Sequence, residues 1–269
     1  MAYAEVTLAT GVWREGTRIR RVRLRAPSSE EERALLEEGE PLLPAERVTL
    51  LLGRCAELGG ETGPDAARAL SAGDRVALLL ELRRLLAGDS LPCVLDCPWP
   101  DCGERLELDL DVGDLLAAAD VGGPTHELEL GGKRLAFRLP TGADEEVAAR
   151  IAVEQGPEAA VDVLLRACLV DPPPSPPPGL DDALGAAMAG ADPHAEISLA
   201  LRCPVCEREG EVAFDAASYL WRDLEARLAR LDRDVHVLAS RYGWGESEIL
   251  ALGERRRARY LELVDLEPA

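Results

Sequence analysis

Val94-Leu95-Asp96-Cys97-Pro98-Trp99-Pro100-Asp101-Cys102 and Ser198-Leu199-Ala200-Leu201-Arg202-Cys203-Pro204-Val205-Cys206 are two alternating segments, each running into a turn that opens on Cys-Pro and closes on a second cysteine. Alternating residues resume beyond both turns, as Arg105-Leu106-Glu107-Leu108 and Glu211-Val212-Ala213-Phe214. The period of two predicts a strand on each side of each turn, which is a knuckle at the tip of a hairpin. One pair of thiolates is half of a tetrahedral shell, so Cys97, Cys102, Cys203 and Cys206 together predict a single structural zinc site of the zinc-ribbon kind.

Outward from the knuckles, the two halves repeat each other. Pro27-x2-Glu30-Glu31-Glu32 leads through an apolar run to Leu51-Leu52-Gly53-Arg54-Cys55, and Pro140-x3-Asp144-Glu145-Glu146 leads at the same spacing to Leu164-Leu165-Arg166-Ala167-Cys168. Each proline follows a hairpin signal: Glu5–Ala9 with Arg18–Leu24, broken at Gly11 and Gly16, and Glu127–Leu130 with Arg134–Leu139 around Gly131-Gly132. Ser28 or Ser29 and Thr141 are the expected helix caps, with acidic residues in the first turn. Asp74 and Asp181 then mark a further helix start in each half, and Asp111 and Asp215 each lie nine residues past a knuckle. The expected fold is α+β, with two duplicated hairpin/helical/knuckle units sharing one zinc ribbon and a helical tail. The domain boundaries are 1–118, 119–223 and 224–269.

The helices are predicted at 30–39, 45–57 and 73–87 in the first unit, and at 143–155 and 157–169 in the second. A third near 180–190 is weakened by Gly185 and Gly190. The run Pro172-Pro173-Pro174-Ser175-Pro176-Pro177-Pro178 cannot continue a helix and reads as a stiff spacer or a docking segment for a proline-binding groove. The tail is predicted as helices over 215–231 and 234–242, a break at 242–248, and further helix to 264. Tyr219, Trp221, Tyr242, Trp244 and Tyr260 concentrate there, as a docking face or as the tail's own core.

Composition narrows the function classes. Fifty acidic against thirty basic residues leave a formal charge of −20 in 269 residues, so general nucleic-acid and anionic-membrane binding are disfavoured. With only 4% aromatic residues the chain has too few rings for a base-stacking platform. No signal peptide or apolar run of membrane-spanning length is read, which places the expectation in the cytoplasm. Seven cysteines, clustered as C-x3-C-x4-C and C-x2-C, suit a metal better than disulfides in that setting.

No other residue set reads as an active site. Cys93 is expected as a buried strand cysteine, with a role as alternate ligand in place of Cys102 left open; Cys55 and Cys168 read as core residues on matched helices. The three histidines, His126, His194 and His236, are not spaced with a nucleophile or a second ligand. Phosphate-binding and nucleophile-elbow glycine motifs are missing, and a metal shell filled by four cysteines leaves no open position. The expectation is a protein that is not an enzyme.

Longer blocks carry a family resemblance. These are Gly73-Asp74-Arg75 through Arg83-Arg84 and Gly88-Asp89 to the first knuckle, then Cys203-Pro204-Val205-Cys206, Phe214-Asp215 with Ser218-Tyr219-Leu220-Trp221, and Val235-His236 through Tyr242-Gly243-Trp244 to Tyr260-Leu261. In this order they resemble the baseplate-protein family of T-even-like contractile phage tails and related extracellular contractile injection clusters. The C-x4-C first knuckle and Glu207-Arg208-Glu209 after the second depart from a tidy pattern. The resemblance implies a baseplate or hub-assembly component whose partners are baseplate or hub proteins of a contractile tail, with incorporation into the particle open. The other class consistent with the cysteines is a cytosolic zinc-ribbon adaptor of a regulatory or transcription complex.

Overall fold

The computed structural model describes residues 3–116, 119–173 and 176–266. Pro174 and Ser175 of the proline run therefore lie outside the described residues. The chain is mixed α/β, with helices packed on small antiparallel sheets: one of three strands and three of two among the described residues.

Alternation in Tyr3–Arg14 (β1) and Thr17–Arg25 (β2) forms the first hairpin, turning at Glu15 and Gly16, both at positive φ. The expected break at Gly11 is instead a bulge within β1. The register slips between Thr7 and Val12, Gly11 takes φ 70°, and a Cβ there would stand 2.6 Å from the Ile19 carbonyl oxygen. Ser28 caps Ser29–Gly39 (α1) in a reciprocal box with Glu31, and Pro44–Cys55 (α2) follows. The helix expected to reach residue 57 stops at Cys55, because Ala56–Leu58 (β3) pairs antiparallel with Val22–Leu24. The amides and carbonyls on that edge of β2 need partners, and a third strand satisfies them better than one more helical turn would satisfy itself. A short helix, Pro64–Arg68 (α3), precedes Ala72–Ala87 (α4), which buries Leu78, Leu79, Leu80 and Leu82. The first knuckle hairpin is Ser90–Asp96 (β4) with Arg105–Asp111 (β5), ending in the single turn Val112–Leu115 (α5).

The second half runs through His126–Leu130 (β6), Lys133–Phe137 (β7), Gly142–Gln155 (α6), Pro157–Cys168 (α7) and Leu180–Ala191 (α8). Gly185 and Gly190 do not break α8, since Leu180, Leu184 and Met188 bury one face at helical spacing and offset the glycine cost of about 1 kcal/mol each. Ile197–Arg202 (β8) and Glu209–Phe214 (β9) form the second knuckle hairpin. The chain ends in Ala216–Tyr242 (α9), Glu246–Leu250 (α10) and Glu254–Leu266 (α11).

Residues 113 positions apart behave alike over the hairpin–helix–helix part of each half. Leu24 pairs with Ala56, and Phe137 bridges Leu169. Arg25 grips the Glu31 carboxylate through both terminal nitrogens at 2.8 and 2.7 Å, and Arg138 grips Asp144 the same way at 2.6 and 2.8 Å. Glu31 and Asp144 are in turn the acidic halves of capping boxes with Ser28 and Thr141. Cys55 and Cys168 are both buried at the helix ends facing these pairs; burial raises their thiols to about 12 and about 11, as core cysteines require.

The tail differs most from expectation. α9 is one unbroken helix through 231–234 and across the boundary expected at residue 224. Asp232 and Asp234 cost only a few tenths of a kcal/mol each as helix residues, while Leu224, Leu231 and Leu238 hold a buried stripe along the whole length. Leu220, Trp221 and Leu224 belong to the core of the first half, packed with Leu35, Leu51 and Leu79. The helix leaving the second knuckle thus completes the first unit. Trp221 is accordingly core and no docking residue: its ring fills the space above Gly39, where a Cβ would approach within 2.2 Å, and Arg47 lies over it at 4.9 Å.

The two halves are pinned at the start of α4. The buried Asp74 carboxylate accepts the amides of Thr10 and Gly11 at 3.1 and 2.7 Å, which the β1 bulge presents to it. The Gly73 amide donates to Asp192 at 2.9 Å, and Ala72 and Gly142 exchange backbone bonds with Pro140 and Leu70 across the junction. Arg75, 2% exposed, donates to Thr49, Ala67 and Ala45 and pairs with Glu145 of α6 at 2.8 Å.

Candidate metal centre

Both knuckle hairpins end in the same way. The Cys97 amide donates to the Glu104 carbonyl at 2.8 Å and the Cys203 amide to the Arg208 carbonyl at 3.1 Å, which closes each hairpin with a cysteine at the base of its turn. The second cysteine of each turn then curls back toward the first. In the first knuckle the extra two residues, relative to the second, are accommodated by a turn in which the Cys102 amide donates to the Trp99 carbonyl at 3.0 Å, so the longer spacing still brings Cys102 inward.

The hairpins meet tip to tip. Cys97 Sγ lies 3.8 Å from Cys206 Sγ, Cys102 Sγ lies 3.7 Å from Cys203 Sγ, and all four sulfurs fall within 4.8 Å of one another. Four bonds of about 2.3 Å to a tetrahedral metal would set the sulfurs about 3.8 Å apart, so the cross-hairpin distances match the edges of such a shell. They are far beyond a disulfide bond of about 2.05 Å, and all four thiols are free. Four thiolates suit a soft or borderline cation. Cys97 and Cys203 are buried and Cys102 and Cys206 partly so, with Leu106, Leu201, Leu95 and Val212 packed around them.

The electrostatics of the free thiols show why a cation fits. Burial pushes the Cys97 thiol up to about 12, and the neighbouring thiols add to the effect. The Arg208 amide, donating to Cys206, draws that thiol down to about 7, while the amides of Trp99 and Glu104 donate to Cys97 and Cys102. Four thiolates crowded at these distances repel one another, and a divalent cation at their centre removes that cost.

Side chains outside the thiols join the tips. Arg208 lies over the Trp99 ring at 4.8 Å, and one of its terminal nitrogens donates to both carboxylate oxygens of Asp101 at 2.7 and 2.8 Å. Pro98 packs on Gly210, where a Cβ would come within 2.9 Å of its ring. The sequence reading did not assign these residues. Gly210 in an otherwise alternating strand was the available signal, since glycine there marks close approach of another segment.

Cys93 sits within β4, opposite Leu108, and is not part of the four-sulfur group. Cys102 rather than Cys93 completes the set. Of the histidines, His126 packs beside Phe137 at 5.4 Å, His194 is buried near the Asp192 junction, and His236 is exposed on α9; none joins the cluster. Tyr242, Trp244 and Tyr260 stack on one another at 4.8 to 5.9 Å where α11 folds back on α9. Among the described residues no helix is long and apolar enough to cross a membrane. No family model, curated protein or solved structure matches the chain.

Proposed function

We propose that the protein is a structural or assembly component of the baseplate of a contractile phage-tail-like injection system. In this reading it is a duplicated unit whose halves share one zinc ribbon, and it acts through protein contacts, without catalysis and without binding nucleic acid. The observation that carries it is the set of four sulfurs at tetrahedral spacing, two from each half. A shell filled by four thiolates leaves no position for water or substrate, so the metal would hold surfaces in place rather than activate a reaction. Zinc is favoured over other soft cations because a closed, tetrahedral, redox-inert site is what a structural pin needs.

The contractile-tail assignment draws on the resemblance of the Gly73–Glu104 and Cys203–Leu261 blocks. In the structure these blocks build α4, the two knuckles and α9, which are the elements that tie the halves together. The charge of −20 favours basic faces on partner subunits and contacts that weaken as salt rises. Deletion of the gene from its native cluster, followed by electron microscopy, tests the assembly role: incomplete or missing baseplates are expected, and normal sheathed particles would reject it. Metal analysis of the purified chain tests the pin, with one zinc per chain expected.

A further inference from the structure

Matched helices in the two halves differ in what covers them. In the first half, Val48 and Leu51 of α2 are 8% and 2% exposed, enclosed with Leu79 of α4 and with Leu220, Trp221 and Leu224 of α9. The same positions on α7, 113 residues later, are Val161 and Leu164. Leu165, which matches Leu52, is buried in its own core as Leu52 is. Val161, by contrast, is 52% exposed, and Leu164 is half-buried and belongs to no core cluster.

The reason is the path of α9. It emerges from the second knuckle but crosses to the first half, and α10 and α11 fold back on α9 itself, so among the described residues the substantial helix contacts of α7 are with α6 and α8. The first half's α2 packs on α6, where Arg68 and Arg75 engage Glu146 and Glu145, which confines the open area to the flank shared by α7 and α8. There α8 stays low, with Ala186, Ala189 and Gly190 exposed and open space above Gly185 and Gly190. The edges of the flank are acidic: Glu158, Asp181 and Asp182 are exposed, and Asp162 faces a single arginine, Arg166.

α9 shows what this kind of face accepts. It brings leucine and tryptophan to the apolar floor and an arginine, Arg227, to a buried carboxylate beside it, Glu32. We propose that the α7–α8 flank, centred on Val161 and Leu164, binds an amphipathic helix of a partner protein, with large apolar residues on one face and arginine or lysine along its edges. This deepens the assembly reading by naming the kind of partner. It rests on the correspondence of the two halves and not on the metal.

A labelled peptide with the sequence of residues 216–242 is the probe, titrated into the full zinc-loaded chain and followed by fluorescence anisotropy. Saturable binding is expected, weakened about ten-fold or more by Val161→Glu or Leu164→Lys and unchanged by Val205→Glu, an exposed valine at the second knuckle tip. Affinity should also fall as salt rises. Because Val161 is half exposed, the melting temperature of Val161→Glu should match the parent, which separates lost binding from lost folding. Absence of saturable binding would overturn the proposal. So would binding indifferent to both flank substitutions, since the peptide would then be exchanging with the resident α9. A parent chain that is dimeric by light scattering and becomes monomeric with Val161→Glu would also overturn it, the occupant then being a second copy. Particle morphology is read separately, so peptide binding can fail while the assembly role stands, or the reverse.

Discussion

Replacing Cys203 by serine removes one thiolate from the most enclosed corner of the shell, a side chain with 0% exposure and a partner sulfur 3.7 Å away on the opposite hairpin. Structural zinc contributes roughly 10–16 kcal/mol of apparent binding free energy in small zinc-dependent folds, or about 2.5–4 kcal/mol for each of four thiolates. At about 1.4 kcal/mol per factor of ten, Cys203→Ser should weaken zinc binding about a hundred- to a thousand-fold. The serine hydroxyl is a poor ligand and stays protonated, so little of this is recovered. Competition against a chromophoric chelator gives the affinity directly, and thermal unfolding with and without chelator gives the linked stability. The parent should release one zinc per chain and melt lower without it, whereas the variant should show a smaller gap in melting temperature between the two conditions. Because Cys93 lies outside the sulfur group, Cys93→Ser is the internal control and should bind zinc like the parent. Zinc held by Cys203→Ser as tightly as by the parent would refute the reasoning. Equal damage from Cys93→Ser would do the same.

Trp221→Ala should destabilise the first half by about 3–5 kcal/mol, read from urea unfolding, because a buried ring between α1, α2 and α9 leaves a cavity; a loss under about 1 kcal/mol would place the ring outside the core. Gly142→Ala should also be costly, about 2–4 kcal/mol, because its Cβ would stand 2.0 Å from a terminal nitrogen of the buried Arg75, while Gly113→Ala, with 3.5 Å to its nearest neighbour, should be close to neutral. The hydrogen bond from Arg25 holds Glu31 down to about 2, below its unfolded value near 4.5. A lowered folded pKa contributes stability above the unfolded pKa and loses it as pH falls through the folded one. The urea midpoint should therefore drop between about pH 4.5 and pH 2, with a shallower drop in Arg25→Ala. A pH profile identical in parent and variant would remove Arg25 from that account. Since Glu31 is a third exposed, the change is expected to be modest.

Local patterns were legible where local physics decides. The alternation around both knuckles and the Cys-Pro turns located β4, β5, β8 and β9, and the four cysteines that those turns present converge as their spacing suggested. Ser28 and Thr141 open helices because a hydroxyl residue three positions before a carboxylate makes a local pairing whatever the rest of the chain does: the carboxylates of Glu31 and Asp144 accept the Ser28 and Thr141 amides, the Ser28 hydroxyl accepts the Glu31 amide, and the Thr141 hydroxyl donates to Asp144. Cys55 and Cys168 could be matched from spacing alone. The paired arginines that give the match its geometry, Arg25 and Arg138, were visible as residues but not as partners of Glu31 and Asp144, because a bidentate grip across a hairpin–helix corner has no fixed sequence interval.

What the chain determines by itself is the set of units that close their own hydrogen bonds: hairpins, capped helices and cysteine turns, each specified by residues within a few positions of one another. Tertiary packing decided which unit each helix serves. β3 replaces the last turn of α2 because a distant strand edge needed partners, and Gly11 bulges instead of turning because Asp74, more than sixty residues away, accepts the amides it exposes. α9 runs straight through its aspartates because Leu35, Leu51 and Leu79 of the other half supply a surface worth more than the local cost. Those choices depend on apolar area and buried polar groups brought together from far along the sequence, and periodicity read within one segment carries no record of which surface lies opposite.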